Sequence, residues 1–388
     1  MSKKTPIKAL LSLLLCLFSD IASVAGQIEG LDFATGKALF DKNWVPAPSS
    51  TTASDGLGPF YDARSCAQCH PDGGRGSRDA SLTLHIDDPV YGRQLQKFAV
   101  TGLVPEARVQ ISESPNEAGV EVSALRYGPL SSEGYSARIA PSLRGIGLLA
   151  QVPEADIEGR ADPDDENGDG ISGRVNRVTD TGAIGRFGWK SSQSSLRQQT
   201  ALALSLDLGL GNVLHPSGWG DCTAEQPDCL DYPSGNDSVT GLEIPPQVLD
   251  LLLTYVRGLA PQAGVNLTAD RVIQGKRLFD QVGCAQCHTP DLRTGTKDWQ
   301  PYTDLLLHDM GEDLADELRE GQASGSEWRT APLWGIGLIT RGFLHDGRAA
   351  SIAEAIQWHG GEGAVARMNF EALDESERSD IILFLNSL

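Results

Sequence analysis

The sequence lacks long apolar runs after its first 25 residues, so that part contains no segment of the length that crosses a bilayer. Its one extended apolar stretch, residues 9–18, is too short to span a membrane and follows a start that carries three lysines. The small residues of Ser23–Ala25 come next, which is the pattern of a cleavage site. We therefore predict a signal peptide over residues 1–25 and export of the mature chain to the periplasm.

Basic residues are also scarce. Lysine and arginine together number 32 against 52 aspartates and glutamates, which gives a formal net charge of −20. The three lysines of the signal peptide outnumber its one aspartate, so cleavage would bring this charge to −22. A surface of this sign repels nucleic acid and anionic membranes and favours encounters with basic or weakly charged protein partners.

Cysteine is scarce as well, and most of it stands in two identical runs. Only seven cysteines occur, one of them in the signal peptide, and four of the other six lie in the Cys-Ala-Gln-Cys-His runs 66–70 and 284–288. In such a run two thiols can form thioethers to a haem and the histidine can ligate its iron. We predict two covalently bound c-type haems. Their attachment residues and iron ligands are Cys66, Cys69, His70, Cys284, Cys287 and His288.

A Cys-x-x-Cys pair alone would also suit a redox dithiol or half of a zinc site. A thioredoxin-like dithiol lies in a βαβ context, which neither run has. The histidine that follows both runs favours haem over these alternatives. The remaining pair, Cys222 and Cys229, predicts a local disulfide in an oxidising compartment, with a free pair as the alternative.

An internal repeat organises the chain. Residues 36–41 match 275–280, residues 140–148 match 331–338 with one gap, and residues 158–161 match 346–349, in the same order each time. We predict a mainly α protein with two haem domains, an N-terminal one over residues 26–262 with long loop insertions and a C-terminal one over residues 263–388.

The pattern inside each copy resembles the cytochrome c fold, in which a first helix with Gly and Phe crosses a last helix that carries an aromatic. We predict that Gly275 and Phe279 meet Phe384. We predict an equivalent crossing of Gly36 and Phe40 with Tyr255.

Histidine and methionine, the common sixth ligands of a haem iron, number only seven and three. His359, just before the closing helix, is the candidate for the second haem, with an ordinary structural histidine as the alternative. The first domain has no equivalent, so we predict an open iron there. Gln151 and Glu154 are candidates for acid or base help at that iron, although Glu154 could instead begin a helix after Pro153.

An acidic stretch in the first domain contains the opening of a calcium-binding loop. Asp165, Asn167 and Asp169 alternate and are followed by Gly170, which permits a sharp turn. Position twelve is Asn176 where an EF-hand has a bidentate Glu. The stretch therefore predicts either a Ca²⁺ site or a solvated acidic turn.

Several longer runs resemble the di-haem oxidoreductase family, also labelled thiol oxidoreductases. This family belongs to the superfamily of bacterial di-haem cytochrome c peroxidases and the methylamine dehydrogenase maturation enzyme. The runs are 55–60, 162–174, 186–190, 302–311, 328–330, 343–348 and 358–361.

The resemblance implies that His359 takes the place of the iron-ligating Met of the peroxidases and the Tyr of the maturation enzyme. A bis-His second haem would have a lower potential than a His/Met haem. The superfamily also has calcium between its haems, for which the loop 165–170 is the candidate. It has an aromatic residue on the electron path, for which Trp189 is the candidate.

We therefore predict a periplasmic, peroxidase-like di-haem c-type cytochrome. Hydrogen peroxide or another oxidant would react at the first haem, and the second would exchange electrons with a redox partner or a protein substrate. The alternative is a plain electron carrier with both irons six-coordinate, for which His85 or His215 would have to ligate the first iron. A haem-bearing accessory to metal uptake is a third reading.

Overall fold

The computed structural model describes residues 30–51, 55–111, 119–131, 134–293, 299–316, 318–340 and 342–388. The predicted signal peptide, residues 1–25, lies outside these ranges. Across the ranges that are described, no helix is long and apolar enough to span a membrane.

Helices form most of the regular structure in the described chain, in agreement with the mainly α prediction. Helix α1 covers the described residues 30–41. The helices that follow are α2 Cys66–Cys69, α3 Arg78–Ser81, α4 Ile146–Leu149, α5 Glu154–Glu158, α6 Leu196–Leu208, α7 Pro227–Leu230, α8 Pro246–Gly258, α9 Asp270–Gln281, α10 Ile352–Gln357, α11 Ala364–Ala372 and α12 Glu375–Ser387. Short 3-10 turns cover Pro71–Gly73, Cys284–Gln286, Glu312–Leu314, Ile336–Leu338 and Gly361–Gly363.

Short antiparallel strands, which the repeat pattern does not predict, occur in the described part of both halves, and most of them lie in the first half. They are β1 Phe60–Tyr61, β2 Thr83–Asp88, β3 Gly92–Leu95, β4 Phe98–Ala99, β5 Arg108–Ile111, β6 Val120–Ser123, β7 Ser136–Arg138, β8 Leu307–Asp309 and β9 Glu327–Arg329. Strand β2 is the centre of a sheet of order β3-β2-β7, and the pairs β1-β4, β5-β6 and β8-β9 are separate. Leu84 and Ile86 of β2 are buried and alternate with more exposed neighbours, which is the period of a half-covered strand.

Each half closes through a helix crossing at a glycine. A Cβ on Gly36 of α1 would lie 2.1 Å from the backbone oxygen of Leu251 in α8, and one on Gly275 of α9 would lie 1.9 Å from that of Asp380 in α12. Only a residue without a side chain allows the backbones to approach this closely.

Aromatic rings pack beside both glycines. The ring centroids of Phe40 and Tyr255 are 5.1 Å apart, and those of Phe279 and Phe384 are 5.4 Å apart. Both predicted crossings are confirmed.

A second glycine contact recurs in the two halves. A Cβ on Gly147 of α4 would lie 2.1 Å from the backbone oxygen of Arg257, at the end of α8. One on Gly337, in the turn Ile336–Leu338, would lie 2.1 Å from that of Asn386, at the end of α12. The segments that match in sequence therefore make the same kind of contact with the closing helix of their own half.

The apolar cores extend across the predicted domain boundary at residue 262. The first-half core also contains Leu305, Leu306 and Trp334 from the second half. The core beneath the β-insertion likewise takes in Leu314 and Trp328. Segments from the second half therefore pack against both the helical part and the β-insertion of the first. Elsewhere, Cys222 and Cys229 form the predicted disulfide.

Candidate haem-binding sites

The first Cys-x-x-Cys-His run forms α2 and the residue after it. The Oγ of Ser65 accepts a hydrogen bond from the backbone N–H of Gln68 at 3.2 Å and caps the helix. The Nδ1 atom of His70 is buried and has no hydrogen-bonded partner in the described chain. Burial lowers the pKa of His70 to about 4. The backbone groups of Gly74 and Pro141 act in the opposite direction and offset only part of this effect. The imidazole is therefore neutral at pH 7, as a metal ligand must be.

In the second run, Cys284–Gln286 form a 3-10 turn and His288 follows. The Nδ1–H of His288 donates to the backbone oxygen of Tyr302 at 3.0 Å, which leaves Nε2 with its lone pair. Burial, followed by the neighbouring His359, lowers the pKa of His288 to about 4. A backbone carbonyl that fixes the tautomer in this way is the usual partner of a metal-ligating histidine.

His359 has the same arrangement. It lies two residues beyond the end of α10, and its Nδ1–H donates to the backbone oxygen of Ala355 at 2.8 Å. Burial lowers its pKa, so this imidazole is also neutral with a free Nε2. His288 and His359 both line the cavity described below.

The four motif thiols are poor candidates for a redox dithiol. Burial, reinforced by the nearby Asp207 carboxylate, raises the pKa of the Cys66 and Cys69 thiols to about 12. Burial also raises the pKa of Cys284 to about 12 and that of Cys287 above its usual range. Reactive thiols have lowered pKa values instead.

One cavity of about 740 Å³ extends between the two halves. From the second half, Cys284, Cys287, His288 and His359 line it. From the first half, residues within 71–77, 141–149 and 186–189 line it, and the first of these segments begins directly after His70. The cavity therefore extends from the chain next to the first motif to the second motif.

The wall of this cavity suits a large apolar group that also carries carboxylates. Apolar side chains such as Phe187, Leu149 and Leu333 contribute to it. Three buried or part-buried guanidiniums, of Arg75, Arg186 and Arg329, line it as well. The Nε of Arg186 is buried without a partner in the described chain, so this cation has an unused donor. A haem, with its apolar ring and two propionates, fits such a wall.

A family model described as "Di-haem oxidoreductase, putative peroxidase" matches residues 132–388. The chain belongs to this di-haem oxidoreductase family. Membership implies two haem cofactors, in agreement with the two runs. No curated protein gives a significant match.

Three solved structures illustrate proteins to which the chain is similar. Hydrazine synthase of Kuenenia stuttgartiensis has 14% identity and a TM-score of 0.42 over 91% of this chain and 92% of that chain. A MauG-like protein associated with microbial copper homeostasis has 15% identity and a TM-score of 0.38 over 89% and 92%. The dihaem peroxidase BthA of Burkholderia thailandensis has 15% identity and a TM-score of 0.45 over 92% and 86%.

In this member of the di-haem oxidoreductase family, the sequence offers two histidines, His85 and His215, as alternative ligands of the first iron. His85 is on β2, its Nε2 lies 3.2 Å from the Oγ1 of Thr83, and burial lowers its pKa to about 3. His215 is in a loop, and neither histidine lines the cavity.

Gln151 and Glu154 are on the surface. Both side chains are exposed and neither lines the cavity. The Nε2 of Gln151 donates to the backbone oxygen of Gly147, and Glu154 is the first residue of α5 after Pro153. Glu154 reaches the cavity wall only through Arg186, whose guanidinium lies 3.7 Å from its carboxylate.

In the acidic loop, the candidate calcium ligands bond to their own backbone. Asp165 accepts from the N–H of Gly170 at 3.2 Å, Asn167 from that of Asp169 at 2.8 Å, and Asp169 from that of Ile171 at 2.9 Å. The Nε2 of Gln286, inside the second haem run, lies 3.5 Å from Asp169. The loop therefore approaches the second motif, and calcium binding remains a prediction.

Three tryptophans, Trp189, Trp328 and Trp334, line the cavity. Trp189, the candidate for the electron path, donates from Nε1 to the backbone oxygen of Ile139 at 2.8 Å. Trp328 stacks on His345 with ring centroids 3.7 Å apart, and the ammonium of Lys190 lies 4.3 Å from the Trp328 ring centre. Lys190 is fully buried, and its charge is balanced by Asp316 at 2.9 Å.

A buried group around His308 is absent from the sequence predictions. The Nε2 of His308 donates to Asp304 at 2.9 Å and its Nδ1 donates to Glu362 at 2.7 Å. The run 302–311 contains Asp304 and His308 four residues apart, and this spacing could have indicated that the two side chains pair. Glu362 comes from a distant segment, so no local pattern indicates its contact with His308.

A second buried acidic group lies behind the first motif. Gln94 donates from Nε2 to both Asp62 and Asp207, each at 2.8 Å, and Glu106 and Asp221 lie close by. Burial, with repulsion from neighbouring carboxylates, raises the pKa of Asp207 to about 7. Burial raises the pKa of Asp221 to about 6 and those of Asp62 and Glu106 above their usual range.

These carboxyls predict a stability that falls as the pH rises. A carboxyl whose pKa is raised in the folded state binds more protons there than in the unfolded chain, where its pKa is about 4. The urea midpoint should therefore decrease between about pH 4 and pH 7 because of this group. Asp207→Asn should flatten that slope, and an identical slope in the variant would contradict the assignment.

Proposed function

We propose that this protein is a di-haem c-type oxidoreductase in which an oxidant reacts at the first haem and the second haem transfers electrons. One observation carries the proposal. Every histidine and methionine in the described cavity wall, namely His288, His308, Met310, His345 and His359, belongs to the second half. His359 lines the same cavity as His288, whereas no histidine or methionine of the described first half lines it.

The chain's own residues would hold the cofactors as follows. Cys66 and Cys69 attach the first haem, and Cys284 and Cys287 attach the second. His70 and His288 present neutral imidazole nitrogens, and His359 presents a third. A bound haem supplies an iron that accepts or donates single electrons and, where a coordination position is open, binds peroxide or another small oxidant.

The buried arginines provide charge for the propionates. Arg186, with its unused Nε donor, and Arg75, which also donates to the backbone oxygen of Gly342 at 3.0 Å, face the cavity from the first half. Their burial strengthens any pairing with a carboxylate because little water screens it. We assign proton transfer to Glu154 or Gln151 on chain position alone, and Glu154 would act through Arg186.

The remaining parts of the proposal concern organisation. Two duplicated domains, residues 26–262 and 263–388, are supported by the matching glycine contacts in both halves. Export after cleavage of residues 1–25 is supported by the disulfide, which forms in oxidising compartments. We also propose that the loop 165–170 binds Ca²⁺ and that Trp189 takes part in electron transfer. The proposed partner is a redox protein or a protein substrate.

An electron paramagnetic resonance spectrum of the purified ferric protein tests this function. We expect equal amounts of high-spin and low-spin haem, because one iron has an open position and the other has two histidines. Addition of peroxide should remove the high-spin signal first. His359→Ala should convert most of the low-spin signal to high-spin.

His85→Ala and His215→Ala are the matched controls, and both should leave the spectrum unchanged. A wild-type spectrum with two low-spin haems would contradict the proposal. If either control then produced a high-spin signal, the plain electron carrier would be the correct reading.

A further inference from the structure

The loop that carries His359 is fixed by one carboxylate. Glu362, three residues further along, accepts four hydrogen bonds on its two oxygens. Its Oε2 accepts from His308 Nδ1 at 2.7 Å and from the backbone N–H of Ser172 at 3.1 Å. Its Oε1 accepts from the Ser172 hydroxyl and from the backbone N–H of Asp309, both at 3.0 Å. The side chain is only 9% exposed.

The shortest of these four bonds is to a histidine that has a carboxylate oxygen at each ring nitrogen. His308 donates from one nitrogen to Glu362 and from the other to Asp304, so both ring nitrogens carry protons. Burial alone would lower the pKa of His308, but the bonds to Asp304 and Glu362 act in the opposite direction and raise it. Glu362 is thus held by a charge-assisted bond in a buried position.

The backbone around Glu362 leaves little room for adjustment. A Cβ on Gly361 would lie 2.2 Å from the backbone oxygen of Asp309. One on Gly363 would lie 3.1 Å from the Cβ of His359 and 3.2 Å from the Cε of Met310. The turn Gly361–Gly363 therefore packs closely against the segment that contains His308, and His359 contacts the same turn.

We propose that Glu362 is the positioning residue for His359, and that its bonds to His308, Ser172 and Asp309 hold the His359 imidazole at the second iron. This inference rests on the proposed role of His359 as the sixth ligand. Because Ser172 belongs to the first half, directly after the acidic loop 165–170, the position of the ligand also depends on how the two halves meet.

Glu362→Gln tests the inference with the smallest change in shape. A glutamine has one carbonyl oxygen where glutamate has two acceptors, and its NH₂ group would face N–H donors. We expect the ratio of His359-ligated to unligated second haem to fall at least tenfold. Met310, which touches the same turn, would give a low-spin iron of higher potential if it replaced His359. Spin state and reduction potential of the haems in the intact protein are therefore both measured.

Asp380→Asn is the matched control. Asp380, on α12, is another buried carboxylate of the second half. It accepts a hydrogen bond from the Nε of Arg271, on α9, at 2.6 Å. The Asp380→Asn substitution should lower the urea midpoint and leave the spin state and the reduction potential of the haems at their wild-type values. His359→Ala gives the spectrum of the unligated haem, and added imidazole should restore the low-spin signal of the Glu362→Gln protein.

The outcomes separate the two claims. If His359→Ala leaves both haems unchanged, His359 is not a ligand and the proposed function fails on that point. If His359→Ala acts but Glu362→Gln changes only the urea midpoint, as the control does, then Glu362 joins the halves without positioning the ligand. A changed spin state or potential in Glu362→Gln, absent in the control, supports the inference.

Discussion

Replacing both cysteines of either haem run by serine is expected to leave one covalently bound haem per chain instead of two. The reason is chemical: the thioether bonds form at the two sulfurs, and serine cannot supply them. The Cys66→Ser/Cys69→Ser and Cys284→Ser/Cys287→Ser proteins should each lose half of the haem absorbance. Intact mass under denaturing conditions should fall by one haem in each case.

The disulfide provides the control for these variants. Cys222→Ser/Cys229→Ser also removes two sulfurs from the chain, but neither of these cysteines belongs to a Cys-x-x-Cys-His run. That protein should keep both haems while its urea midpoint falls. A wild-type mass with fewer than two haems, or a run variant that keeps both, would end the di-haem c-type assignment for this chain.

Gly275→Ala is expected to destabilise the second half by about 3 kcal/mol or more. The new Cβ would lie 1.9 Å from the backbone oxygen of Asp380, so α9 and α12 must move apart. That movement would also disturb the rings of Phe279, Phe384 and Tyr302, which meet edge to face beside the crossing. The urea midpoint and the spectrum of the second haem should both change.

Gly36→Ala should behave in the same way in the first half, because its Cβ would lie 2.1 Å from the backbone oxygen of Leu251. Gly30→Ala is the control on a helix, since no atom of the described residues lies within 4 Å of its Cβ position. It should be neutral or slightly stabilising, as Ala has the higher helix propensity. Equal effects of Gly30→Ala and Gly275→Ala would show that the crossing tolerates a side chain.

The local chemistry of this chain could be predicted from its sequence. The haem runs are contiguous, so their spacing alone specifies the attachment residues. The Cys222–Cys229 disulfide closes a short loop. The glycines of the helix crossings were predictable because the motif occurs twice. His359 could be named as a ligand candidate because so few histidines and methionines exist.

Other predictions depended on which face a segment presents, which sequence position does not specify. Gln151 and Glu154 follow the right segment for a distal role, yet their side chains are exposed on the surface. The strands of the first-half insertion were not predicted because short strands have weak local signals and their partners are distant in sequence.

By itself, the sequence determined the number of haem runs, the acidic charge of the chain and the two glycine crossings, since each depends on neighbouring residues or on a repeated pattern. Only the tertiary structure brought Ser172, His308 and Glu362 together, residues separated by 190 and by 54 positions. It also showed that the histidines and methionines of the described cavity wall all come from the second half. Such contacts arise from packing between distant segments, and no local pattern of residues encodes them.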